Sequence, residues 1–173
     1  MLDAIKNTLY YVGEYGPTIL WIFAVVVLYK LPSYFGMFIF GSVVSIITNY
    51  ILKGLFKQPR PNQDAYIQSI ENQYKGIIGF GRYGMPSGHT QAAVFTTIYI
   101  WFATKNMKLT FLCLIISIIT MYQRVEYNFH TIAQVIGGAG VGTLVAYFFF
   151  LNVKKANKTK LKYKPDDNYF GEN

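Results

Sequence analysis

Charged side chains are nearly absent from five long stretches of this chain, and that absence constrains its fold more than any other feature. The stretches cover residues 18–31, 34–56, 89–104, 109–123 and 131–153, with the charges gathered into short clusters between them. Charged residues make up only 14% of the sequence, against roughly 25% in soluble domains. Segregated charge between apolar runs is the pattern of a polytopic membrane protein. The expected fold is therefore all-α, a membrane helix bundle of about five transmembrane helices. Residues 1–16 place Asp3, Lys6 and Glu14 among Leu2, Ile5, Leu9, Tyr10 and Val12, which predicts a separate N-terminal helix lying at the interface. They lack the charged start, apolar core and cleavage site of a signal peptide. Pro17 then opens the first span.

The remaining segments fall into place around these spans. Residues 57–85 form the one long polar segment inside the chain, and a connection of that length in a compact protein is usually either functional or disordered. Gly137, Gly138, Gly140 and Gly142 give the last span small residues that let helices pack closely in lipid. The expected organisation is one membrane domain over residues 1–153 and a Lys-rich, disordered tail over 154–173. The net charge of +8 does not argue for nucleic acid, because six of the sixteen basic residues sit in that tail, flanking the membrane. The one cysteine, Cys113, permits neither a disulfide nor a cysteine metal site. Lysines beside a span favour the cytoplasm, which puts the tail inside and the 57–89 and 124–130 segments on the extracytoplasmic or lumenal face.

Three clusters meet on that outer face. The first is Lys53 with Arg60, seven residues apart and on one side of a continuing helix. The second is Gly84-Met85-Pro86-Ser87-Gly88-His89-Thr90, where a proline, a serine and a glycine open a helix whose N–H groups favour an anion. The third is Arg124 with His130 and Gln134, the last two four apart and able to touch. Taken singly, each has an ordinary explanation as a snorkelling cation, a capped turn or a polar residue at the water boundary. Together, two histidines with Lys53, Arg60 and Arg124 make chemistry suited to an oxyanion of several negative charges.

Lys53-x6-Arg60-Pro61, Pro86-Ser87-Gly88-His89 and Arg124-x5-His130-x3-Gln134 resemble the three signature motifs of the type 2 phosphatidic acid phosphatase family, in order and over about residues 50–140. The family shares its site with vanadium haloperoxidases, glucose-6-phosphatase and polyprenyl pyrophosphate phosphatases. The resemblance implies that His130 is the nucleophile, forming a phosphohistidine, and that His89 is the general acid. It implies that Lys53, Arg60, Arg124, Ser87 and Gly88 bind the phosphoryl oxygens, with no metal and no cofactor. The implied partners are the bilayer and an amphiphilic phosphate or pyrophosphate substrate; oligomeric state is left open.

Two positions depart from the family pattern. Gln123 stands where a serine is usual, and Gln134 where an aspartate usually orients the nucleophile and stabilises its imidazolium. A glutamine oxygen still accepts the Nδ1–H bond but brings no charge. On this reading a Gln134→Asp replacement should hold or raise activity. Gln134 resembles both the glucose-6-phosphatase and the dolichyl pyrophosphate phosphatase branches, and the Met85-to-Gln91 stretch looks closer to the dolichyl branch. The alternative is a catalytically impaired relative that binds lipid phosphate without turnover.

Overall fold

The computed structural model describes the backbone of residues 2–61 and 79–162, and the side chains of 4–61 and 79–157. Much of the expected polar segment and the end of the tail lie outside those residues. Five helices carry the described chain: α1 (Leu2–Leu28), α2 (Pro32–Phe56), α3 (Gly88–Thr104), α4 (Met107–Glu126) and α5 (Ile132–Lys162). The described residues are all-α, as composition and spacing led us to expect.

The boundaries follow from local chemistry. Pro32 begins α2 where a missing N–H costs nothing, and Lys57 ends it in the left-handed region (φ 47°), its N–H returning to the Lys53 carbonyl at 3.0 Å. Asn106 caps α4 by accepting from the N–H groups of Lys108 and Leu109 at 3.0 and 3.3 Å. α5 continues to Lys162, so helix extends through the first part of the Lys-rich segment expected as a disordered tail.

The start of the chain differs from expectation. Residues 1–16 do not form a separate interfacial helix; α1 runs from Leu2 through Pro17 to Leu28 without a break. Proline leaves the carbonyl four residues earlier without a donor, but here that residue is Gly13, and the helix is held by its neighbour instead. A Cβ at Gly13 would stand 2.3 Å from Gln123 Cβ, and one at Gly16 2.1 Å from Thr120 Oγ1. Two bare glycine faces thus let α1 lie directly on α4. Tertiary packing overrides the local punctuation.

α1, α2, α4 and α5 each contain a stretch long and apolar enough to cross a membrane. α3, with 17 residues, is shorter and packs against all four of them. Its Phe95, Tyr99 and Ile100 join Leu20, Ala24, Phe38 and Phe149 in the buried core. Many outward residues of the other helices are apolar, among them Val26, Ile46, Leu144 and Phe148. An apolar exterior and helices that satisfy their own backbone groups are what a bilayer requires. Of the four glycines expected to bring α5 close to its neighbours, Gly137, Gly138 and Gly142 do so, whereas Gly140 faces open space. A Cβ at Gly138 would lie 2.5 Å from the Ser87 carbonyl, and one at Gly142 2.5 Å from that of Gln91, so α5 runs hard against the first turns of α3.

Candidate active site

The open ends of α2, α3, α4 and α5 bring the three motifs together, and each side chain is fixed by a neighbour that can be named. Lys53 projects from the last turn of α2 as the end of a buried stripe, Ser45, Asn49 and Lys53, each one turn from the next. It is only 5% exposed and donates to the Tyr83 carbonyl. Arg60, just past the end of α2, spreads its guanidinium over the Arg82, Phe129 and Gly81 carbonyls at 3.3, 3.4 and 3.1 Å. Its Nη1 also stands 3.2 Å from His130 Nε2.

His130 is 2% exposed. Asn128, in the left-handed region at φ 55°, turns the chain after α4, and the His130 N–H bonds back to the Arg124 carbonyl at 2.9 Å. Thr131 and Gln134 then form a capping box. The Gln134 N–H donates to Thr131 Oγ1, and the Thr131 N–H donates to Gln134 Oε1, both at 3.2 Å. The same Oε1 lies 3.0 Å from His130 Nδ1. Gln134 Nε2 faces two acceptors, Pro59 O at 2.8 Å and Gln58 Oε1 at 3.2 Å, which fixes the orientation of the amide. Nδ1 therefore carries the proton, and the lone pair of the neutral ring sits on Nε2, beside Arg60.

Burial, with charge beside it, keeps the ring in that form. Burial, reinforced by the positive charges of Arg60, Lys53 and Arg124, pushes His130 down from 6.5 to about 2, against the opposing pull of the Gln134 hydrogen bond. Between those limits the unfolded chain binds a proton at this position and the folded chain does not. The linked stability is therefore lost as pH falls from about 6.5 towards 2 and is unchanged above it. In detergent, the thermal midpoint of His130→Gln should gain on that of the wild type as pH is lowered below 6.5; a constant gap would show that the ring is not held neutral.

Gln134 also changes what its replacement should do. An aspartate is one methylene shorter and has no donors, so Gln134→Asp would abandon Pro59 and Gln58 and put a carboxylate against two carbonyl-type oxygens. If His130 is the nucleophile that the resemblance implies, Gln134→Asp should lower phosphate release by about tenfold or more rather than hold or raise it, since losing the groups that hold a reacting side chain costs about that much or more. Gln134→Glu, which preserves the capping box, should lose less. Equal rates for Gln134→Asp and wild type would contradict these contacts.

The other motif residues join the same network. The Ser87 N–H donates to the Gln134 carbonyl at 3.0 Å, tying the start of α3 to α5. Ser87 Oγ accepts from Thr90 Oγ1 rather than capping the helix. Gly88 begins α3 against Asn49, where a Cβ would come within 3.2 Å of Asn49 Oδ1. Asn49 donates to Gln91 Oε1 at 2.9 Å, and Gln91 donates to Ser45 Oγ at 2.9 Å, which locks α3 to α2. Arg124 lies over the Phe129 ring at 4.7 Å and donates through Nε to Gln123 Oε1 at 2.6 Å.

The residue that sequence reasoning missed is Glu14, assigned above to an interfacial helix. One of its oxygens pairs with Arg124 Nη2 and accepts from Gln123 Nε2 at 3.3 Å. The other lies 3.6 Å from His89 Nε2. His89 thus connects to the remaining residues through a carboxylate from α1. Gly84 was also unremarked as a site residue: a Cβ there would stand 2.4 Å from Gln134 Oε1.

Residues 34–158 match the model of the PAP2 superfamily. The chain belongs to that superfamily. Among PAP2 relatives, the dolichyldiphosphatase of Saccharomyces cerevisiae is 32% identical over 126 residues, covering 66% of this chain and 50% of the yeast protein. Lipid phosphate phosphatase gamma of Arabidopsis thaliana is 26% identical over 159 residues, 79% of this chain and 66% of the plant protein. Lipid A 4'-phosphatase of Porphyromonas gingivalis is 26% identical over 129 residues, 70% of this chain and 54% of that protein. The chain thus spans between half and about two thirds of the length of these relatives. Among solved structures, the transmembrane PAP2 type phosphatidylglycerolphosphate phosphatase of Bacillus subtilis aligns over 94% of this chain and 90% of its own, with a TM-score of 0.49 and 13% identity. With four apolar helices able to span a bilayer, this PAP2 chain is an integral membrane protein.

Proposed function

We propose that this protein is a membrane phosphatase that hydrolyses a lipid phosphate or polyprenyl pyrophosphate through a phosphohistidine, without a metal. The observation that carries the reading is His130: a neutral ring, its Nδ1–H held by Gln134 and its Nε2 lone pair set beside the guanidinium of Arg60. A phosphoryl group drawn in by Arg60, Lys53 and Arg124 would meet that lone pair. His130 Nε2 forms the new bond to phosphorus as the bond to the leaving oxygen breaks, and His89 supplies that oxygen with a proton. Water then attacks the phosphohistidine, giving its proton back to His89, and inorganic phosphate and neutral His130 are released. The fixed cations and the N–H groups at the start of α3 take the charge stabilisation that metal ions supply in other phosphoryl transfers.

An amphiphilic substrate is favoured by a groove of about 220 Å³ between α2 and α3, lined by Ser45, Ile46, Asn49, Tyr50, Gly88, Gln91 and Ala92. It reaches Gly88 at one end and has the exposed Ile46 on its wall, so an apolar chain could lie in it while the phosphate sits at the helix start. The similarity to a dolichyldiphosphatase leads us to favour a polyprenyl pyrophosphate. The lysines after Val153 favour a cytoplasmic C-terminus and an extracytoplasmic or lumenal site; a glycan on Asn157 would overturn that orientation.

The test is phosphate release by purified protein in detergent from phosphatidate, phosphatidylglycerophosphate and polyprenyl pyrophosphates, with and without EDTA. Turnover of at least one, fastest for the pyrophosphates and unchanged by the chelator, is expected. Binding without release from any of them would favour the impaired relative that Gln123 and Gln134 first suggested, and loss of activity in EDTA would contradict metal independence.

A further inference from the structure

The two histidines of the site have unlike surroundings. His130 is enclosed by cations and oriented by a neutral amide, whereas His89 faces a carboxylate. Stepwise phosphoryl transfer needs such an asymmetry, because the nucleophile must begin without a proton on its attacking nitrogen and the acid must begin with one. Gln134 orients the His130 ring without adding a negative charge beside it. Opposite His89, the Glu14 carboxylate lies 3.6 Å from Nε2, within reach of a ring that is to hand a proton to a leaving oxygen.

Glu14 is also held in place more firmly than an exposed glutamate on a surface helix. Its carboxylate is anchored by Arg124 and Gln123 of α4 while its other oxygen faces His89 of α3. Gly13 and Gly16 on either side remove the bulk that would keep α1 away from α4. His89 itself is 40% exposed, so packing alone leaves its ring free to turn, and among the described residues its ion-pair partner is Glu14. Gln123 has a purpose in this arrangement: one amide accepts from Arg124 and donates to Glu14, joining cation and carboxylate.

We propose that Glu14 is a positioning residue that aims His89 at the leaving oxygen, an inference that rests on the phosphatase reading above. The carboxylate that Gln134 replaces beside the nucleophile has a counterpart, supplied by α1, on the acid's side. Glu14 holds the ring through Nε2, forms and breaks no bond to phosphorus, and acts only through the proton that His89 delivers.

The experiment compares Glu14→Gln with wild type on two substrates in the same detergent. Decyl phosphate expels an alkoxide that must be protonated as it leaves; p-nitrophenyl phosphate expels a stable anion that need not be. For Glu14→Gln, kcat on decyl phosphate should fall by about 10²-fold with little change in KM, and kcat on p-nitrophenyl phosphate by only about threefold or less, the pattern of impaired general-acid catalysis. The ratio of the two rates does not depend on how much of the variant is folded. His89→Ala should show the same selectivity, and the double variant should be no more selective than His89→Ala alone. Glu14→Asp should recover part of the lost rate. Equal falls on both substrates would reduce Glu14 to a structural contact and overturn the proposal. A lower KM or a faster rate in Glu14→Gln would do the same, since it would mean that the carboxylate competes with substrate for Arg124. Wild-type protein inactive on both substrates, and on the phosphatidate, phosphatidylglycerophosphate and polyprenyl pyrophosphates named above, would instead bring down the phosphatase reading, and the proposal with it.

Discussion

Replacing His130 with alanine should abolish phosphate release, by about 10⁴-fold or more, as removal of a covalent nucleophile does in other hydrolases. The expected size follows from what would remain. Lys53, Arg60 and Arg124 would still bind and polarise a phosphoryl group, but only water would be left to attack it. Affinity for inorganic phosphate should therefore change by only about a few fold. The pairing of lost turnover with retained binding separates loss of the nucleophile from collapse of the site. His130→Ala that lost both together would point to unfolding, because Arg60 Nη1 and Gln134 Oε1 each lean on the missing ring.

Gly84→Ala should also be strongly damaging, although a single methyl group is added at a position with no chemistry of its own. The new Cβ would stand 2.4 Å from Gln134 Oε1 and 2.5 Å from the rest of the amide. Either the amide moves or the Gly84 backbone does, and that backbone is tied to the Gln58 carbonyl at 2.8 Å. A displaced Gln134 releases His130 Nδ1, Thr131 N and Pro59 O together. Misplacing a reacting group by about 1 Å costs about 10²-fold, and a loss of that order is expected in kcat. Gly140→Ala is the control. Nothing lies within 4 Å of its added Cβ, so activity and thermal midpoint should stay at wild-type values. Similar losses in both variants would mean that close approach is not the reason for glycine at position 84.

The residues that were legible in the sequence are those whose partners lie nearby in the chain or whose type is unusual in an apolar run. His130 and Gln134 are four apart at a helix start, and their contact follows from helical geometry. Lys53 is the one charge in residues 34–56, and the structure shows it ending a buried stripe with Asn49 and Ser45. The purpose of Gln134 was only half visible, because Pro59 and Gln58 approach it from 75 and 76 residues away. An amide that looked like a weakened aspartate proves to be a four-contact junction.

Glu14 was illegible for a related reason. Pro17 read as a boundary, so the residues before it were given to a surface helix of their own. Its partner Arg124 is 110 positions away, and no local spacing links them. The usable signal was Gly13 and Gly16, two small residues flanking a lone carboxylate just before an apolar run, since bare helix faces in a membrane protein commonly mark close helix contact. Once α1 is allowed to continue through Pro17, that glycine face selects α4 as its neighbour and brings Glu14 to Arg124.

The most direct measurement is of the covalent intermediate. Protein mixed with a substrate carrying radioactive phosphorus in its terminal phosphoryl group, and quenched in alkali within one turnover, should retain label that is stable to base and released by acid, as a phosphorus–nitrogen bond requires. Peptide mapping should place that label on His130, and His130→Ala should carry none. Turnover with no label on histidine, or label that persists in His130→Ala, would contradict the account.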